Sequence, residues 1–220
     1  MISIEAFELY RFFHTQESET LALRGVSLRV GSGEMVALLG ASGSGKSTLL
    51  ACLAGLDEPD GGHVEIMGDR LSRRPEAQRA RLRAESIGIL LQTGNLFPTL
   101  TLVDNIELSM RLAGRRDIAR RDRLLSQMGL DPHREARPTQ LSGGELARAG
   151  LAVALASAPR VLMADEPTGE VDAGTEARLF AVFDEQRAAG VAILIATHSD
   201  ALAAHADRVL KLRDGRIVDD

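Results

Sequence analysis

The run from Gly40 to Ser47 constrains this chain more than any other stretch. Gly40, Ala41, Ser42, Gly43, Ser44, Gly45, Lys46 and Ser47 fit the pattern glycine, four residues, then Gly-Lys-Ser/Thr, and Thr48 follows. An apolar run, Met35–Leu39, precedes the pattern and a helix is expected from near Lys46, which is the strand–loop–helix context that gives it meaning. Glycines let the backbone curl until several N–H groups converge on one point, and a helix N-terminus adds the positive end of its dipole. Lys46 is placed to supply a compact charge to the β- and γ-phosphates of a nucleotide, and Ser47 a hydroxyl to Mg²⁺. A plain glycine-rich turn is the bland alternative. A dinucleotide loop fits worse, because glycines at 40, 43 and 45 do not make Gly-x-Gly-x-x-Gly. Among 26 lysines and arginines, lysine occurs only at 46 and 211, which suits positions needing a point charge rather than a planar fork.

Around this loop, short apolar runs alternate with helical stretches, the mark of an α/β protein with a mainly parallel sheet. Strands are predicted at Met35–Leu39, Ile87–Leu91, Val161–Ala164, Val191–Ala196 and Arg208–Leu212, and helices from near Lys46, Leu102, Ser142, Ala173 and Asp200. Residues 2–30 read instead as strands without helices, an antiparallel N-terminal piece that His63–Ile66 joins. Residues 95–157 are mostly helical and fall between two core strands, so they read as a helical subdomain inserted into one domain spanning 1–220.

Val161–Ala164 ends in Asp165 and Glu166. Two acids after a strand are usually a solvated turn. Beside a phosphate loop, Asp165 becomes the expected Mg²⁺ holder, and Glu166, on the other side of the strand, the group that polarises an attacking water.

Leu141-Ser142-Gly143-Gly144-Glu145 carries the next signal. Ser142 and Glu145 have the spacing of a capping box, yet two glycines in a first helical turn cost roughly 1 kcal/mol each relative to alanine. A structural cap gives no reason for them; close approach of a phosphate to the helix N-terminus does.

With this segment about twenty residues before the acidic strand, nearly the whole chain resembles the ATP-binding-cassette ATPases, the segment matching their signature motif. The resemblance implies further roles: Gln92, after Ile87-Gly-Ile-Leu-Leu, as the glutamine that senses Mg²⁺ and attacking water; Asp172 as part of the loop crossing a dimer interface; and His198 as the switch histidine on the γ-phosphate. It also implies an ATP-dependent head-to-tail dimer in which Ser142, Gly143 and Gly144 of one copy close over Lys46 of the other. Four of the seven aromatic residues fall at Phe7, Tyr10, Phe12 and Phe13. The family spacing selects Phe13 to stack on adenine, with Tyr10 second, and packing of all four within a β-subdomain is the alternative. Leu146, Ala147 and Val153 depart from the family pattern of two polar residues, Arg148, and a second arginine five residues on.

Phe97-Pro-Thr-Leu-Thr-Leu102, Asp165-Glu-Pro-Thr-Gly169 and Val103–Gly114 resemble the lipoprotein-release, macrolide-export and peptide-antibiotic-resistance branch, and the end soon after Val218 suits an ATPase without a regulatory extension. The expected partners are a second copy and a membrane permease. A nucleotide-binding scaffold, which would be expected to lose Glu166 or His198, and a soluble cassette uncoupled from transport are the competing readings. Net charge of −5 speaks against nucleic acid, and no run approaches a membrane span. Glu5 and Glu8 stand where a secretory signal needs basic residues, so the expected location is cytoplasmic, peripheral on the inner face of the membrane through the permease. Cys52, in an apolar run, reads as a packed thiol. The arginines of 70–83 and 111–123 read as solvated helix faces, or else as contacts to lipid head groups or a partner.

Overall fold

Two sheets of different kinds lie in this chain, whose computed structural model describes residues 1–14, 19–169 and 171–218. In chain order come β1 (Ile2–His14), β2 (Glu19–Gly31), β3 (Met35–Leu39), α1 (Lys46–Leu53), β4 (Gly61–Ile66), β5 (Asp69–Arg70), α2 (Glu76–Ser86) and β6 (Ile87–Leu90). Then follow α3 (Leu102–Leu112), α4 (Ile118–Gln127), α5 (Gly143–Leu155), β7 (Val161–Asp165), α6 (Ala173–Ala188), β8 (Ala192–Thr197), α7 (Asp200–His205), β9 (Arg208–Arg213) and β10 (Arg216–Val218). The first sheet is antiparallel with order β2-β1-β4-β5, so β4 joins the N-terminal hairpin as expected from sequence. The second has order β10-β9-β3-β8-β7-β6 and is parallel from β9 to β6.

Side chains of a strand alternate between faces, and here both faces of the parallel sheet are covered. Val161 and Met163 of β7 and Leu194 of β8 pack with Leu49 and Leu53 of α1 and Ile66 of the antiparallel sheet. Leu162, Ala164, Ile193 and Ile195 face the other way, onto Ile106, Leu125, Leu151 and Phe183 of α3, α4, α5 and α6. Burial on both faces is why these strands read as unbroken apolar runs. Helices α3 to α5 lie between β6 and β7 in the chain, but their apolar faces share one core with the sheet and α6.

Arg73, Arg81, Arg111, Arg115, Arg116 and Arg123 are exposed, as solvated faces would be, but others in the two runs are not. Arg79 and Arg83 of α2 are half-buried; Arg79 pairs with Glu58 and Arg83 donates to Gly55 O at 2.7 Å. Arg120 reaches the end of α5, donating to Leu155 O at 2.7 Å and Ala156 O at 3.2 Å. It thereby satisfies carbonyls that a helix C-terminus leaves unpaired, and burial pulls its pKa below the usual guanidinium value. Cys52 is a packed thiol, and burial pushes it up to about 12. The β9–β10 hairpin was not anticipated, although its Asp214-Gly215 turn is a strong hairpin signal.

Candidate functional site

The carboxyl ends of β3, β7 and β8 open onto a cavity of about 810 Å³, where ligands bind in parallel α/β sheets. Gly40, Ala41, Ser42, Gly43, Gly45, Lys46, Ser47 and Thr48 line it. Lys46 is only 9% exposed and its ammonium donates to Gly40 O at 2.7 Å and Ala41 O at 3.2 Å. The loop thus holds its own charge in place. Helices α3 to α7 are each capped by a side chain at Thr101, Asp117, Ser142, Asp172 or Ser199, whereas α1 begins at Gly45 with no such cap. Helix α2, after Pro75, also lacks a side-chain cap, but the first turn of α1 lines the cavity, where free N–H groups suit an anion. Gly45 is obligatory: its φ is 105°, and a Cβ there would stand 2.7 Å from Ala22 O. Ser44 is the exception in the loop. Its side chain is buried, and with Lys211 and Asp214 it lines a second cavity of about 470 Å³ on the loop's other flank.

Asp165, Glu166, Gln92 and His198 complete the inner wall. Glu166 has φ 50°, a left-handed backbone of the kind that costs about 1–3 kcal/mol and clusters at functional sites. Its peptide N–H donates to Ala196 O at 2.9 Å. One carboxylate oxygen meets His198 Nδ1 at 2.9 Å; the other accepts from Thr197 Oγ1 at 3.2 Å and His198 N–H at 3.3 Å. The imidazole, 72% exposed, thus stands beside the carboxylate at ion-pair distance with most of its ring open to solvent. A carboxylate has about four lone-pair sites, so this one keeps capacity for a water proton.

On the outer wall the two aromatic candidates separate. Phe13 is 41% exposed and lines the cavity. Tyr10 packs inside the antiparallel sheet, where its ring and hydroxyl fill the space that a Cβ on Gly61 or Gly25 would enter. Thr20, Leu21, Ala22, Arg24, Asp214 and Gly215 also line the cavity and were missed from sequence. Only the Asp-Gly turn carried a local signal.

Ser142, Gly143, Gly144 and Asp172 do not line this cavity. Ser142 caps α5 in a full capping box: its N–H and Oγ–H both donate to Glu145 Oε2 at 2.8 Å, and His133 Nε2 sits 3.0 Å from Glu145 Oε1. These bonds from Ser142, then the charges of His133 and Arg148, hold the Glu145 carboxyl below its ordinary range. Asp172 caps α6, accepting from Thr175 N–H at 3.0 Å and Thr175 Oγ1 at 2.8 Å, and Arg148 donates to that hydroxyl at 2.8 Å. The two glycines therefore differ. A Cβ on Gly143 would meet nothing within 4 Å, while one on Gly144 would be 2.9 Å from Thr175 Oγ1. Gly144 has an intrachain reason that the sequence reading did not foresee; Gly143 has none.

The loop after Gln92 is pinned by two asparagines that sequence reasoning also missed. Asn95 exchanges two hydrogen bonds of 2.7 Å with the Leu91 backbone. Asn105, buried in α3, accepts from Phe97 N–H at 2.7 Å and donates to Thr101 O at 2.8 Å. A buried asparagine in a helix interior, where it is a poor former, was the available clue. Beside this loop runs a groove of about 380 Å³ lined by Leu91, Gln92, Leu96, Gly143, Leu146, Ala147 and Glu166, among others. Leu146 and Ala147, the departures after the signature segment, thus form an apolar groove wall, and Leu146 and Val153 also pack on the core.

Comparison with known proteins agrees with this geometry. The ABC transporter family matches residues 23–169, and the chain belongs to that family as an ATP-binding cassette. It is 39% identical over 220 residues to the lipoprotein-releasing system ATP-binding protein LolD of Hyphomonas neptunium, covering 98% of this chain and 96% of the relative. It is 40% identical over 219 residues to the macrolide export ATP-binding/permease protein MacB of Chlorobium luteolum, covering 99% of this chain but 33% of that protein, so it spans about a third of such relatives. The dimeric post-hydrolysis state of the ATP-binding cassette MJ0796, bound to ADP and Pi, superimposes with a TM-score of 0.93 at 29% identity, covering 98% and 97% of the two chains. Among the described residues no helix is long and apolar enough to cross a membrane.

Proposed function

We propose that this chain is the ATP-hydrolysing subunit of an exporting, lipoprotein-extracting or mechanotransmitting complex, closing head to tail on ATP with a second copy and driving a membrane permease to which it is peripheral on the cytoplasmic side. The observation that carries the reading is the joint placement of Lys46, Asp165 and the Glu166–His198 pair on one cavity wall, while the N-terminus of α5 lies off it. A scaffold that only binds nucleotide has no use for a strained glutamate held against a histidine.

In this reading the phosphate loop and Lys46 hold the triphosphate, and Phe13 stacks on the base. Ser47, Gln92 and Asp165 offer hydroxyl, amide and carboxylate oxygens, the hard-donor set that suits Mg²⁺; when bound, the ion would neutralise charge on the phosphate oxygens. Glu166 takes the proton of the attacking water, and His198, oriented through Nδ1, presents Nε2 toward the γ-phosphate. Ser142, Gly143 and Asp172 act on the partner's nucleotide. The helical unit, residues 95–157, is the arm that carries Ser142 and Gly143 there, while Asp172 stands at the start of α6. A cytoplasmic helix of the permease seats in the groove beside Gln92. Of Leu96, Phe97, Pro98 and Leu100, only Leu96 lines that groove, so Leu96→Asp should lose stimulation by permease-containing membranes and keep basal hydrolysis, measured as phosphate release. Unchanged stimulation would place the partner elsewhere.

A further inference from the structure

Phe13 is not a free ring. The guanidinium carbon of Arg11 lies over it, 4.8 Å from the ring centroid, while the residue stays 41% exposed and lines the cavity. Arg11 is itself fixed. Its Nε and Nη2 engage both Asp57 oxygens at 2.7 and 2.9 Å, and its Nη1 reaches Asp60 at 3.0 Å, with the Asp60 carboxylate also accepting Phe12 N–H at 2.7 Å. Such a bidentate fork fixes the plane of the guanidinium. Asp57 follows α1, and its N–H donates to Ala51 O at 3.1 Å, so the cluster ties the end of β1 to the helix that grows from the phosphate loop. The Asp57 hydrogen bond raises the Arg11 pKa against the opposing effect of burial, and the charge over the ring is permanent.

We propose that Arg11 is a positioning residue for the nucleobase: anchored by Asp57 and Asp60, it holds the Phe13 ring as a preformed floor at a fixed distance from the phosphate loop. This rests on Phe13 being the base platform. An aromatic side chain already held in its binding position loses less freedom when a base stacks on it, and a cation over the ring face supplies the holding force. Lysine at position 11 would keep the charge but not the fork, so its effect should be intermediate.

Calorimetric titration of the full chain with ATP, and with inorganic tripolyphosphate as a probe lacking the base, tests this. Phe13→Ala should weaken ATP about tenfold while moving tripolyphosphate less than about twofold, since stacking on an aromatic ring is lost and phosphate contacts are not. Arg11→Gln should weaken ATP roughly three- to tenfold, the span of a partly desolvated cation–π contact. It should spare tripolyphosphate and add nothing when combined with Phe13→Ala. Equal losses for ATP and tripolyphosphate in both Arg11→Gln and Arg11→Lys would show a merely structural role and overturn the proposal. So would an Arg11→Gln loss that persists undiminished in the Phe13→Ala background. If Phe13→Ala binds ATP normally, the platform reading fails; if only the Arg11 variants do, that reading stands and the positioning role fails.

Discussion

The phosphate loop and the signature segment both present the N-terminus of a helix, and they are finished differently. At α1 the first turn is uncapped, the ammonium of Lys46 lies under the loop, and three strand ends bring carboxylates, an amide and an imidazole to the same cavity. At α5 the first turn is capped twice over: Ser142 is tied to Glu145 and Glu145 to His133, and next to it Asp172, Thr175 and Arg148 form a second closed network. One end lacks a side-chain cap and opens onto the cavity; the other is closed by its own side-chain bonds. In the proposed function, a single chain thus holds most of a nucleotide site, and the capped segment, which does not line that cavity, serves the second copy.

Removing the charge from the open end should have the largest effect. Lys46→Ala should weaken nucleotide binding on the order of 100-fold, because hydrogen bonds to charged groups contribute about 1.5–3 kcal/mol each and about 1.4 kcal/mol is tenfold. Wild-type affinity in a titration would remove the phosphate loop from the site.

Next comes the division between chemistry and assembly. Glu166→Gln keeps the shape and loses the base, so turnover should fall about 10²–10⁴-fold while an ATP-dependent dimer accumulates in light scattering. Adding Ser142→Arg should abolish that dimer without weakening ATP binding to the monomer. A Glu166→Gln chain that binds ATP but stays monomeric at high concentration breaks the comparison.

The glycine pair sharpens it further. Gly144→Ala pushes a methyl against Thr175 Oγ1 and should lower stability in thermal melts by about 1–3 kcal/mol, as overpacking does. Gly143→Ala meets open space and should stabilise by up to about 1 kcal/mol through helix propensity. If a phosphate of the partner's nucleotide approaches there, the same variant should nevertheless weaken the dimer.

The smallest effect concerns the cap. The Glu145 carboxyl is held below its ordinary value of 4.5 by bonds from Ser142, so the unfolded chain binds its proton more readily than the folded one. The contribution is therefore complete above about pH 4.5 and fades as pH falls through the lower, folded-state value. The protection factor of the Ser142 N–H, its exchange rate relative to an open amide at the same pH, should fall over that acid range and stay constant between pH 6 and 8.

Local sequence settled what local physics controls. Met35–Leu39 running into Gly40 and Lys46 could be read because glycine freedom, an apolar run and a helix start are properties of neighbours in the chain. The buried strands were legible because both their faces are covered, and the capping box at Ser142 because its spacing is itself the interaction. Tertiary structure alone decided the rest. It put Phe13 rather than Tyr10 on the cavity wall, since β1 brings one aromatic to the rim and packs the other against Gly61. It turned Arg79, Arg83 and Arg120 from apparent surface charge into half-buried connectors, because their partners at Glu58, Gly55 and Leu155 lie 21, 28 and 35 residues away in the chain. It joined Glu166 to His198 across 32 residues. It gave Gly144 a steric reason through Thr175, from another helix. Charge pairing and close approach depend on distance in space, and no periodicity along a chain encodes which distant segment will be near.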